Sequence, residues 1–174
     1  MKNLSYPVVI LFLLFTQACD KVNDLNTIDL NSDLEKSYTA NITDSDPLTV
    51  NETFNVEAGN DDKIKKYIDH IQDYTVNKVT YKISDYSGAS GILLNGNLNI
   101  GSVSVAVTDL DLQAASTSGT VYDLQLSQAD LDAIAADFKD GNSISGSLQG
   151  SVSDKPVTFT VTISISVTVK AQVV

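Results

Sequence analysis

The last part of the chain alternates between apolar and polar residues without a break, and this pattern constrains the fold more than any other feature. From Val157 to Val173 every second residue is Val, Phe, Ile or Ala, and the residues between them are Thr, Ser, Lys or Gln. Successive strand residues point to opposite faces, so the pattern predicts one long strand with a core face and a solvated face. Strands usually have up to about ten residues. We therefore expect it to bend, to serve both sheets or curl around a core, and to have neighbours on both sides.

Shorter alternating segments precede this strand and predict further antiparallel strands. They are VTYKI, GILLNGNLNI, SVSVAV and VYDLQL, two short strands around a turn at Asp46-Pro47, and a strand that contains Ile144, Leu148 and Val152. We expect GILLNGNLNI to be one continuous strand with a glycine on its inner face, followed by a turn at Gly101-Ser102.

Two segments have helical periodicity instead. Residues 128–139 follow Ser127, which can cap a helix, and Asp130 stands at the third position of a capping box. The other segment covers about residues 61–72, with its apolar stripe at Ile64, Tyr67, Ile68 and Ile71. The predicted fold is mainly β (α+β): an antiparallel β-sandwich or curved sheet with two packed helices and a long C-terminal strand.

The first twenty residues have the layout of a secretory signal. Lys2 precedes an apolar stretch from Tyr6 to Phe15, and small and polar residues lead to Cys19. The apolar stretch has about ten residues, whereas a membrane-spanning helix needs roughly 20. We therefore expect residues 1–18 to be a signal peptide that is cleaved.

The only cysteine of the chain, Cys19, follows Ala18 directly. The segment Thr16-Gln17-Ala18-Cys19 resembles the lipobox of bacterial lipoproteins, with Thr16 where that pattern usually has Leu. The resemblance implies that Cys19 becomes the first residue of the mature protein and carries acyl chains such as palmitate. Acylation would also consume a thiol that is otherwise reactive in an exported protein. The mature protein is then expected to sit on a membrane without spanning it.

The charge of the mature chain limits its partners. Removing residues 1–18 takes away one of 11 basic residues and none of the 22 acidic ones, so 10 minus 22 leaves a net charge of −12. All the basic residues are Lys, and the bidentate Arg contacts typical of nucleic-acid recognition are missing. We expect no nucleic-acid partner, and attachment to the membrane through acyl chains rather than through a basic patch.

The mature chain has the length of one domain. Residues 19–36, which are rich in Asp and Asn, are expected to form the lipidated N-terminus and a solvated tether. Residues 37–174 are expected to form a single β-rich domain.

Nothing in the sequence predicts an active site. The single histidine, His70, falls off the apolar stripe of its segment, and no nucleophile motif is present. The helical acid pairs, Asp69 with Asp73 and Asp130 with Asp137, lie on polar faces. We predict no enzyme activity, no catalytic residue, no metal site and no cofactor.

Calcium binding is the question that the acidic residues leave open. Asp109 with Asp111, or Asn60 with Asp61 and Asp62, could supply oxygen ligands, although no calcium-loop motif is present.

The sequence favours a non-catalytic binding or structural module anchored to the bacterial cell envelope. The outer membrane or cell surface is favoured over the inner membrane, and the protein or ligand partner is unknown. The alternative is a carrier of an apolar ligand or lipid, with a cavity between sheet and helices. A cavity above roughly 300 Å³ would favour the carrier. Its wall would be Phe159, Val161, Ile163, Ile165 and Val167.

Overall fold

Eight strands form two antiparallel four-stranded sheets in the computed structural model, which describes residues 26–173. The strands are β1 (Thr27–Ile42), β2 (Thr49–Glu57), β3 (Ile71–Gly88), β4 (Leu93–Ile100), β5 (Val103–Asp111), β6 (Val121–Asp123), β7 (Ser143–Val152) and β8 (Val157–Gln172). Two α-helices, α1 (Leu112–Ser118) and α2 (Gln128–Lys139), and two 3-10 segments, Ala58–Asn60 and Lys65–His70, connect them. Sheet A has the order β1-β8-β3-β6, and sheet B has the order β2-β7-β4-β5. The predicted mainly β, antiparallel sandwich is confirmed.

The long alternating strand, β8, lies in the middle of sheet A. It pairs with β1 from Thr27 opposite Gln172 to Ile42 opposite Val157, and β3 pairs along its other side. Its inward side chains are between 0% and 3% exposed, so the alternation separates core from surface as predicted. The expected neighbours on both sides are confirmed. The expectation that β8 serves both sheets was wrong, because β1 and β3 are at least as long as β8 and pair with it inside one sheet.

Sheet B is built around β7, whose inner face contains two glycines. Gly146 lies opposite Phe54 of β2, and a Cβ at Gly146 would collide with the Phe54 ring. Gly150 lies opposite Gly96 of β4, and a Cβ there would collide with the Asn95 carbonyl group. At these two glycines neighbouring groups of sheet B approach the β7 backbone closely. The inner face of β8 in sheet A instead has a side chain at every position.

The folded region starts before the predicted boundary at residue 37. β1 begins at Thr27, so much of the segment predicted as a tether belongs to sheet A. Leu34 is 3% exposed and Leu30 is packed against the core, while the Asp and Asn residues between them face solvent. Pairing with β8 gives one edge of this segment regular backbone hydrogen bonds along its whole length, which outweighs its polar composition. Residues 1–18 and Cys19 lie outside the described residues.

The helix predicted over residues 61–72 was wrong. The segment contains only the 3-10 turns of Lys65–His70, and Ile71 already begins β3 opposite Ala171. Part of the apolar stripe is still turned inward, because Ile64 is fully buried and Ile68 and Ile71 pack against the core. The Tyr67 N–H donates to the Ile64 carbonyl oxygen at 2.8 Å, as a 3-10 turn requires.

The helix predicted over residues 128–139 is confirmed as α2. Ser127 and Asp130 form the reciprocal hydrogen bonds of a capping box. Phe138 is fully buried and stacks on Tyr74 of β3, with ring centroids 5.4 Å apart. Asp111 accepts a hydrogen bond from the Ala114 N–H at the start of α1, a helix that sequence analysis missed.

The remaining turns and strands follow the predictions with one exception. β4 is continuous, and a turn at Gly101, which has φ of 55°, leads into β5. Only Val121–Asp123 of the predicted strand VYDLQL joins a sheet. None of the helices within residues 26–173 is both long and apolar enough to cross a membrane.

Candidate functional site

The outer face of sheet A is a polar surface in which the hydroxyl groups of β8 lie between β1 and β3. Ser37 and Thr162 are hydrogen-bonded through their hydroxyl oxygens at 2.8 Å, and Thr39 and Thr160 at 3.0 Å. These cross-strand bonds hold the side chains of neighbouring strands in fixed positions. Towards the start of β1 the same face becomes concave.

A bulge in β3 produces this concavity. Val76 lies opposite Val167 and Lys78 lies opposite Ser166, so Asn77 is an extra residue on β3. The bulge turns both Asn77 and Lys78 to the outer face, where a regular strand would place only one of them. An open cavity of about 410 Å³ lies here, which we call the sheet A groove. It is lined by Asn31, Ser32, Asp33, Lys63, Asn77, Lys78, Ser166 and Val167.

A chain of hydrogen bonds crosses the floor of the groove. The Asn77 side-chain amide donates to Thr168 Oγ1 at 3.0 Å, and Thr168 Oγ1 donates to Asn31 Oδ1 at 2.7 Å. Beside it the Ser166 hydroxyl donates to the Asp33 carboxylate. Three strands thus contribute to one ordered array of polar groups, which suits a binding surface because little reorganisation is needed on contact.

Lys78 marks one side of the groove and is paired with an acid. Its ammonium group lies 3.1 Å from Asp123 Oδ2, and both side chains are partly exposed. The Gln125 backbone N–H, 3.0 Å from Asp123 Oδ1, and the Lys78 ammonium lower the pKa of Asp123. Asp123 is therefore a carboxylate at neutral pH, and Lys78 keeps N–H groups that can face a ligand.

A second cavity of about 250 Å³ continues the groove beyond Lys78. Asn77 and Lys78 line both cavities. The other lining residues come from β3, from β6 and the segment after it, and from α2: Val79, Asp123, Gln125, Leu126 and Leu131.

Lys63 reaches the opposite side of the groove because the loop between β2 and β3 is fastened to β1. The Ser32 hydroxyl donates to the Asp61 carboxylate, and the backbone N–H groups of Lys63 and Ile64 donate to it at 2.8 and 3.0 Å. Burial raises the pKa of Asp61, but these hydrogen bonds outweigh it and hold the pKa below its ordinary value. The Lys63 ammonium lies 3.4 Å from the Asn31 carbonyl oxygen.

The predicted apolar wall lies in a filled core. Its five side chains are Phe159, Val161, Ile163, Ile165 and Val167, and each is at most 3% exposed. The cavity between the sheets beside Val161 has a volume of about 10 Å³, room for about one water molecule. The core geometry thus argues against the carrier of an apolar ligand.

Two of the acidic residues considered as calcium ligands accept hydrogen bonds from backbone N–H groups. Asp61 accepts from its loop, as described above, and Asp111 caps α1. Within residues 26–173, no group of three or more His, Cys, Asp and Glu side chains is arranged to hold a metal ion. His70 is exposed at the end of its 3-10 segment. Cys19, the predicted lipidation site, is outside the described residues.

The groove residues were missed by sequence analysis, although one signal was present. Val76 and Val79 both face the core but are three residues apart, and this break in the two-residue period indicates a bulge between them. No protein-family model matches the chain, and no curated protein matches it.

Proposed function

We propose that the chain is a lipid-anchored binding module of the bacterial cell envelope, with the sheet A groove as its binding surface. The groove carries the proposal, because it combines a volume of about 410 Å³ with an ordered polar floor on the side of a solid sandwich. Cys19 is the proposed attachment point. The module is proposed to act by binding alone, and no residue is assigned a catalytic role.

The position of β1 supports this arrangement. Thr27, where the first strand begins, is the eighth residue after Cys19. A chain of that length spans at most about 28 Å. An acyl group on Cys19 would therefore hold the sandwich close to the membrane surface, as expected of a protein that binds envelope or surface material.

The anchor is tested by expressing the full chain in bacteria fed an alkyne analogue of palmitate. We expect the chain to take up the label and to sediment with membranes. Cys19→Ala is expected to take up none and to leave the membrane fraction. An unlabelled wild-type chain, or a Cys19→Ala chain that is labelled as strongly, would refute the lipid anchor.

The groove is tested separately with Thr168→Val, which interrupts the floor. Thr160→Val is the matched control, since Thr160 also faces outward on β8 and is bonded to β1, but outside the groove. We expect Thr168→Val to weaken binding of short oligosaccharide probes to the full chain, measured by saturation-transfer NMR, and Thr160→Val to leave it unchanged. Equal losses in both variants would show that the groove is not the binding surface.

A further inference from the structure

The groups that line the groove differ in whether their hydrogen bonds are already used. Asn31 Oδ1 and the Thr168 hydroxyl are occupied by the floor network, whereas within residues 26–173 the Asn31 amide nitrogen has no partner. In the part of the chain that the structure describes, the ammonium groups of Lys63 and Lys78 each have one partner, so each can donate further hydrogen bonds. The groove therefore presents several free N–H donors to whatever enters it.

The groove carries both signs of charge. Three carboxylates lie at it, Asp33 in its lining, Asp61 beside the Lys63 loop and Asp123 paired with Lys78, and the ammonium groups of Lys63 and Lys78 lie on its two sides. Asp33 adds acceptors next to these donors, and so does the Asn77 side-chain oxygen, which has no partner among residues 26–173. A ligand that carries an anionic group and also hydroxyl groups would match both sets.

We infer that the sheet A groove binds an oxyanion on a polyhydroxylated ligand, such as the carboxylate of an acidic sugar, between Lys63 and Lys78. This inference rests on the proposed binding function of the groove. The ligand hydroxyls would then bond to Asn31, Asn77 and Asp33. A charge-assisted hydrogen bond contributes more to binding than a neutral one, so the lysines should dominate the affinity.

Three variants that change a charge distinguish binding of an anionic ligand from binding of an uncharged one. Lys78→Met removes a donor to the anion, and we expect at least about tenfold weaker binding. Asp123→Asn removes the acid that competes for Lys78, and we expect about threefold tighter binding. Lys82→Met is the matched control, because Lys82 is exposed on the same strand but lies opposite Thr162, outside the groove. It should change affinity less than about twofold.

The probes are glucuronic acid, glycerol 3-phosphate and glucose, and their affinities for the full chain are measured by saturation-transfer NMR. Tighter binding of either anion than of glucose, with the opposite effects of Lys78→Met and Asp123→Asn, supports the inference. The anion that binds more tightly distinguishes a carboxylate from a phosphate source. Equal binding of all three probes, no binding of any, or no effect of Lys78→Met overturns it. Binding of glucose that is lost in Thr168→Val but not in Lys78→Met would leave the proposed function intact.

Discussion

The two central strands, β8 in sheet A and β7 in sheet B, solve the same packing problem in different ways. β8 fills its inner face with an unbroken row of large apolar side chains, whereas β7 alternates Ile144, Leu148 and Val152 with two glycines. Neighbouring groups occupy the space above those glycines: the Phe54 ring at Gly146 and the β4 backbone at Gly150. The packing of β8 is thus determined by its own side chains, and the packing of β7 by groups on the neighbouring strands.

The outer faces of the two sheets also differ. Sheet A carries charged and hydroxyl side chains, and the bulge at Asn77 makes it concave. On sheet B the outward residues of β7 are Ser and Gln, and those facing them from β4 are Asn95, Asn97 and Asn99, all uncharged. Both sheets contain a register shift, but the shift at Asn77 lies over the filled core of sheet A, so sheet A holds a groove without loss of packing beneath it.

The largest effect should come from filling the close approach in sheet B. Gly150→Val places a side chain against the backbone of β4, which cannot move away as a flexible side chain could. We expect the free energy of unfolding to fall by about 3 kcal/mol. Urea denaturation measures it, with the exposed neighbour Ser151→Ala as control, expected within about 0.5 kcal/mol of wild type. A loss below about 1 kcal/mol in Gly150→Val would show that the nearby β4 backbone does not restrict the size of the side chain at residue 150.

A smaller effect is expected at the loop that borders the sheet A groove. Asp61→Ala removes the acceptor for two backbone N–H groups and for Ser32, and should lower the free energy of unfolding by about 1 kcal/mol at pH 7. Because the pKa of Asp61 is lowered in the folded state, its contribution is present above the unfolded pKa and is lost as pH falls through the folded value.

Urea denaturation at pH 7 and at about pH 3 checks this dependence, and the difference between wild type and Asp61→Ala should shrink at the lower pH. The exposed neighbour Asp62→Ala serves as control and should change stability little at either pH. A difference that stays constant with pH would mean that the Asp61 carboxylate does not fasten this loop.

The smallest effects should be similar on both outer faces. Thr162→Ala removes the 2.8 Å bond to Ser37 in sheet A, and Ser147→Ala removes the 3.1 Å bond from Asn99 in sheet B. Each is expected to cost about 0.5 kcal/mol or less, since exposed cross-strand pairs contribute little. Thermal unfolding of the two variants checks this. A clearly larger loss on either face would mean that surface hydrogen bonds, rather than core packing, distinguish the sheets.

The sequence predicted those elements whose own residues carry the pattern. β8 and α2 are examples, because the alternation in one and the capping box in the other are local signals. β1 was recognised only in part, because the many Asp and Asn residues around Leu30 and Leu34 are typical of a solvated segment. This segment is a strand because it pairs with β8. The segment 61–72 failed for a related reason: Ile71 pairs with Ala171, far along the chain, instead of continuing a helix.

The groove could not be predicted because it depends on three strands that are distant in sequence. Asn31, Asn77 and Thr168 meet only because β8 lies between β1 and β3. Sequence analysis treated the outward Thr and Ser residues of β8 as a solvated face, which they are. It had no means of placing the bulge at Asn77 beside them, and the bulge gives that face its shape.

The central position of β8 also sets an order for folding. β8 follows every other strand in sequence, yet β1 is joined to β3 only through it. Sheet A therefore cannot be completed until β8 has emerged, and its closure joins residues as far apart as Thr27 and Gln172. Such non-local pairing folds slowly. For a chain proposed to be exported, slow closure would keep sheet A open during passage and complete it on the far side of the membrane.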